Sequence, residues 1–84
     1  MNRFLILVMR TPKFDESIVG PHRAFLDDLR AQGQLEMTGP FTDGSGGAYL
    51  LLAEDMDTAT AIAHTDPAHL TGASKITIHQ WQAR

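Results

Sequence analysis

The chain contains no cysteine, which excludes a disulfide framework, a thiolate metal site and a thiol nucleophile. Basic residues are scarce as well. Seven lysines and arginines stand against ten acidic residues, for a formal charge of −3, so no basic stripe is available to hold a phosphate backbone and nucleic acid is not an expected partner. The strongly apolar run near the N-terminus, Phe4 to Met9, is far too short for a membrane span and has no cleavage-type region behind it. These absences describe a cytoplasmic protein with no membrane partner. Eighty-four residues are read as one domain, 1–84, and a chain of this length buries roughly 60–65% of the surface its unfolded form exposes. Its stability margin alone is expected to be thin.

What is present follows a regular order. Arg3 to Met9 reads as a strand with apolar residues on both alternating faces, Phe4, Ile6 and Val8 on one and Leu5, Leu7 and Met9 on the other. A long helix is predicted from Asp15 or Ser17 to Gln32, with Pro21 in its first turn and Gly33 closing it. Positions 18, 22, 25, 26 and 29 read Ile, His, Phe, Leu, Leu, one face of a 3.6-residue helix. His22 is therefore expected on the inner face, near the helix N-terminus. Gln34 to Phe41 is a second strand stopped by Gly39-Pro40, Thr42 to Gly47 a glycine-rich hairpin connection, and Ala48 to Ala53 a third strand apolar on both faces. Asp55 or Asp57 can cap a second helix that runs to about Thr65. The apolar positions of that helix, Ala59, Ile62 and Ala63, continue onto Asp66, and Asp66-Pro67 ends it. Ala68 to Gly72 is a short helix or turn, and Lys75 to Trp81 is the last strand.

The order β-α-β-β-α-β in a chain of this size predicts an α+β, ferredoxin-like fold: a four-stranded antiparallel sheet with two helices on one face. The N-terminus of the first helix and the C-terminus of the second then lie at one end of the sheet. His22 and Asp66 are brought to a common rim, together with Arg10, Gly39, Pro40 and the hairpin. The other sheet face keeps an apolar set from strands one and three that a small monomer should not leave wet, so a homodimer through sheet-to-sheet packing is expected.

A carboxylate hydrogen-bonded to an imidazole fixes its tautomer and raises its basicity. A His22–Asp66 dyad is thus a candidate for catalytic proton transfer, although each residue also has a bland reading, a satisfied rim histidine and a turn aspartate before proline. An aspartate at a helix C-terminus opposes the helix dipole, so something else is expected to hold Asp66 there. His64, Asp66 and His69 read as solvated groups rather than metal ligands, because helical spacing splits His64 from Asp66. Gly44 to Gly47 reads as a turn, since no helix follows it as in a phosphate-binding loop. Arg10 is a candidate to bind a substrate anion at the rim, with Gly39 and Pro40 beside it; a solvated strand end is the alternative. Trp81 and Tyr49 are expected in the core or at the dimer contact.

Pro21-His22 followed by Leu26, Leu29 and Gly33, then Gly39-Pro40, the glycine-containing hairpin, Asp66-Pro67 and Gly72, resembles the YciI-like (YCII-related) proteins over nearly the whole chain. The resemblance implies a fold of the dimeric α+β barrel group, a homodimer, and a cleft built around a His–Asp pair that falls on His22 and Asp66. It also implies that some members act as small lyases on chlorinated aromatic breakdown products. Many relatives carry an arginine shortly before the histidine where this chain has Ile18 and Val19, which leaves Arg10 or Lys13 as substitutes. The expected function is general acid/base chemistry on a small organic substrate, such as an elimination, using no metal or cofactor. The alternatives are a ligand-binding or regulatory homodimer, and a haem-related or cofactor-free oxygenase of the same barrel group.

Overall fold

Four strands form one antiparallel sheet in the order β2-β3-β1-β4: β1 (Asn2–Arg10), β2 (Leu35–Pro40), β3 (Gly46–Ala53) and β4 (Ser74–Gln80). The computed structural model describes residues 1–84. Three helices complete it, α1 (Val19–Ala31), α2 (Met56–Ala63) and α3 (Pro67–Leu70). The ferredoxin-like βαββαβ arrangement expected from the sequence is the one observed, with α3 as a short addition before the last strand.

Register decides which strand residues form the core. Phe4 faces Leu51, and Ile6 faces Tyr49 and Ile78 across the two neighbouring strands. Directly opposed residues of an antiparallel pair share a face, so Phe4, Ile6, Val8, Tyr49 and Leu51 form one sheet surface, and all five are buried. The helices close over it with Ile18, Leu26, Leu29, Ala59, Ala63 and Ala68. A bulge between Leu35 and Met37 shifts the pairing of β2. It lets Leu35 and Thr38, an odd number of residues apart, face the same side. That insertion is why β2 has no clean alternation in sequence.

The helix boundaries follow local chemistry. A short 3-10 turn, Glu16–Ile18, precedes α1 and is capped by Asp15, whose side chain accepts from the Ser17 N–H. Thus α1 proper begins at Val19, later than Asp15 or Ser17. At its other end Gly33 has φ +74°, which lets its N–H donate to Arg30 O while Gln34 N–H donates to Leu29 O. This is the paired closure that a left-handed residue after a helix permits. Asp55 caps α2 through the Thr58 N–H at 2.8 Å.

α2 ends at Ala63, so Asp66 does not lie on its apolar face as the periodicity suggested. The chain turns instead, and Asp66 begins α3. Trp81 follows β4, one residue past the end of the strand, and at 47% exposed lies outside the core, which leaves the dimer contact as the place expected for it.

One end of the sheet is held tightly. Thr11 donates its hydroxyl to Gly72 O at 2.6 Å and its N–H to Ala73 O, and Arg10 N–H donates to Ser45 O. Two glycines there admit no side chain. A Cβ on Gly46 would stand 2.1 Å from Val8 O, and one on Gly47 2.7 Å from Gly39 O. Bare backbone therefore forms the sheet surface where β1, β2 and β3 meet this rim.

Candidate active site

Asp66 is the first residue to explain, because a fully buried carboxylate is costly unless it is paired and hydrogen-bonded. It is 0% exposed. As the N-cap of α3 its Oδ1 accepts the Ala68 N–H at 2.9 Å, and Pro67 occupies the first helical position, where no N–H is needed. The carboxylate thus sits at a helix start and not at a helix C-terminus, and the unpaired N–H groups there favour negative charge.

The second partner comes from α1. His22 lies in the first turns of that helix, and its Nδ1 is 2.9 Å from Asp66 Oδ1 and 2.8 Å from Oδ2. An ionised carboxylate only accepts, so Nδ1 carries the proton and donates it. One N–H cannot satisfy both oxygens well; the aligned hydrogen bond goes to Oδ1, and Oδ2 keeps none. The imidazole is 23% exposed against 0% for the carboxylate, so the pair has a wet side and a dry side. Nε2, the other ring nitrogen, is left for a group outside.

Tyr49 stands on the dry side. It is 2% exposed, its ring meets Phe25 edge-on at 6.2 Å, and its hydroxyl has no hydrogen-bond partner. Burial, and secondarily the Asp66 charge, push its ionisation far above the usual phenol range. It remains a neutral phenol at any physiological pH. Because an unpartnered buried hydroxyl carries a desolvation cost with no return, Tyr49→Phe is expected to leave the melting temperature unchanged or raise it, by an amount corresponding to about 1 kcal/mol. A thermal melt of the variant checks this; a clear loss of stability would mean that the hydroxyl is bound in solution.

The wet side is a cleft of about 360 Å³ between α1 and the rim of the sheet. Of the residues singled out in the sequence, His22, Arg10, Gly39 and Pro40 all line it, and Gly46 and Gly47 complete the backbone part of its wall. Arg10 is not simply solvated: its guanidinium lies 4.1 Å over the Phe14 ring. Lys13 is not part of the lining. His64 and His69 stack in parallel at 4.3 Å while Asp66 turns inward to His22, so the three do not converge. The lining residues that sequence reasoning missed are Phe14, Arg23, Asp27, Arg30, Thr38 and Ser74. Positions 23, 27 and 30 share a helical spacing beside the apolar stripe of α1, which places them on one face without distinguishing a cleft from open solvent.

A ferredoxin-like α+β scaffold with a His–Asp pair where the starts of two helices meet, beside an open cleft, is the class of protein defined by this fold and site. The chain belongs to the YCII-related domain family, whose model matches residues 3–82. It is 43% identical over 84 residues to the protein YjpA of Bacillus subtilis (strain 168), covering 100% of this chain and 99% of that protein. Among solved structures it resembles 5-chloro-2-hydroxyhydroquinone dehydrochlorinase (TftG) from Burkholderia phenoliruptrix AC1100, in complex with 2,5-dihydroxybenzoquinone. That likeness has a TM-score of 0.76 at 21% identity and covers 98% of this chain and 95% of the other. At that identity the likeness concerns the fold. No helix is long and apolar enough to cross a membrane.

Proposed function

We propose that the protein is an acid/base enzyme acting on a small organic molecule, with His22 as the proton-transferring group and Asp66 as the residue that orients it. The observation that carries this reading is the Nδ1–Asp66 hydrogen bond of 2.9 Å from a fully buried carboxylate. It fixes the tautomer with a lone pair on Nε2 and stabilises the imidazolium formed when Nε2 accepts a proton. In an elimination, Nε2 would take the proton from the substrate, the freed electron pair would form the new double bond, and a leaving group such as chloride would depart to water. The dehydrochlorinase activity of the structural relative supports that reaction type, and its quinone ligand supports a ring-sized substrate. Arg10, Gly39 and Pro40 would contact the substrate from the sheet rim.

The working unit is proposed to be a homodimer. The sheet face away from the helices carries Leu5, Leu7, Leu50, Leu52 and Met37, with Met37 60% exposed, and a second copy of the same face is the occupant that would cover it.

Small hydroxylated aromatics and quinones, including 5-chloro-2-hydroxyhydroquinone, test the proposal in deuterated buffer, with NMR detection of exchange and ion-selective detection of chloride. Turnover by the wild-type protein is expected, together with a fall of roughly 10²–10⁴-fold in His22→Gln, the usual contribution of a positioned acid or base. Binding without turnover, or equal rates in the two proteins, would move the assignment to a ligand-binding dimer.

A further inference from the structure

We infer that the substrate is an anion: a small, single-ring organic acid whose negative charge is held by Arg10, Arg23 and Arg30. The inference rests on the reading that the cleft beside His22 is the substrate site, and it adds the chemical class of what enters.

Charge is the first observation. The chain as a whole is acidic, at −3, yet three arginines line this one cleft and Asp27 is the acidic residue among the lining groups. Among the lining side chains the three arginines outnumber Asp27 by two; with Nε2 unprotonated, the buried Asp66 carboxylate behind His22 lowers the net excess to one positive charge. The spacing of Asp27, four residues after Arg23 and three before Arg30, would allow it to pair with either across a helix turn. It pairs with neither. The carboxylates held by basic side chains are Glu36, paired with Arg3, and Asp66, bonded to His22, so none of the three cleft guanidiniums has a carboxylate within 4.0 Å.

Geometry is the second. The Arg10 guanidinium carbon lies 4.1 Å from the centre of the Phe14 ring, with no carboxylate within 4.0 Å. A guanidinium with no carboxylate partner has N–H donors to offer, and its fork matches the two oxygens of a carboxylate in parallel hydrogen bonds. Arg23 and Arg30 lie two turns apart on α1, about 10 Å along its axis, so they bracket the cleft rather than crowd one point. Val8, Phe14, Ile18, Val19, Leu26 and Ala68 supply apolar walls. The volume of about 360 Å³ is near the lower end of the roughly 300–1,000 Å³ typical of small-molecule pockets. Apolar walls, a surplus of unpaired guanidiniums and this size together describe an aromatic acid better than a neutral or cationic ligand.

Benzoate and benzamide differ in charge and hardly in shape, which makes them the discriminating probes. Each is titrated into the intact protein by NMR, following the amides of Gly46, Gly47 and Ala68. Benzoate is expected to bind at least roughly tenfold more tightly than benzamide, the scale of one charge-assisted hydrogen bond, and to weaken as salt rises from about 0.02 to about 0.5 M. Arg23→Gln combined with Arg30→Gln should cost benzoate about tenfold and leave benzamide unaffected. Circular dichroism confirms that these exposed substitutions leave the fold intact. Equal binding of the two probes, a salt-independent benzoate affinity, no effect of the arginine substitutions, or no binding of either probe would each overturn the inference. His22→Gln separates this test from the proposed reaction. If that variant keeps its preference for benzoate while no compound is turned over even by the wild type, the acid/base reading fails and the anion site stands. If turnover is found but benzamide binds as well as benzoate, the reverse holds.

Discussion

His22→Leu is expected to destabilise the fold by about 3 kcal/mol, because it removes the partner of a carboxylate that stays buried. The figure sits at the low end of the range for breaking buried pairs, since the imidazole is 23% exposed and water can partly replace it. For a domain of this size the loss corresponds to a fall on the order of 15 °C in melting temperature. A second substitution isolates the cause. Asp66→Asn keeps an oxygen that can accept the Ala68 N–H and removes the charge, so His22→Leu with Asp66→Asn should be more stable than His22→Leu alone. Thermal melts of the four members of this cycle measure the coupling directly. If His22→Leu melts with the wild type, the pair is not held together by charge and the account of the site given above is wrong.

Leu7→Asp is expected to abolish the proposed dimer. Leu7 lies in β1 opposite Ala48 and Thr77, on the face that no helix covers. In a two-fold symmetric contact one substitution appears twice, so two carboxylates would be desolvated at the same interface. Desolvating an unpaired carboxylate costs several kcal/mol, and a loss of about 4 kcal/mol raises a dissociation constant roughly a thousandfold. Light scattering across a concentration series should give a dimer for the wild type and a monomer for the variant. Far-ultraviolet circular dichroism should change little, because in a monomer this position faces water. A wild-type protein that is monomeric at high concentration would remove the dimer from the proposal.

Much of the fold was legible because strand and helix periods differ and are both strongly expressed here. The double-sided apolar strands Phe4 to Met9 and Ala48 to Ala53, the Ile18-to-Leu29 stripe of α1 and the closing Gly33 each carry a local physical signature. The bulge in β2 was not legible, since an inserted residue erases the alternation by which a strand is recognised. Asp66 shows a subtler limit. Its convergence with His22 followed from topology, but its local role was inverted: the apolar period of α2 runs on through position 66, whereas the backbone stops at Ala63 and restarts at Pro67. Periodicity reports which side a residue faces and not which helix it belongs to. Exposed arginines such as Arg23 and Arg30 were missed for a related reason. On a helix surface a solvated charge and a cleft charge have the same spacing, and only the opposing wall, here Gly39, Pro40 and Gly47, tells them apart.

Asp66 Oδ1 accepts at once from Ala68 N–H and from His22 Nδ1, and this sharing makes the four-residue α3 a reporter of events in the cleft. Electron density drawn toward the imidazole is density withdrawn from the amide. When Nε2 gains a proton, the Ala68 hydrogen bond should weaken in response, although that N–H is itself buried. The chemical shift and exchange rate of that single buried amide therefore form a built-in gauge of the charge on His22, readable without a label.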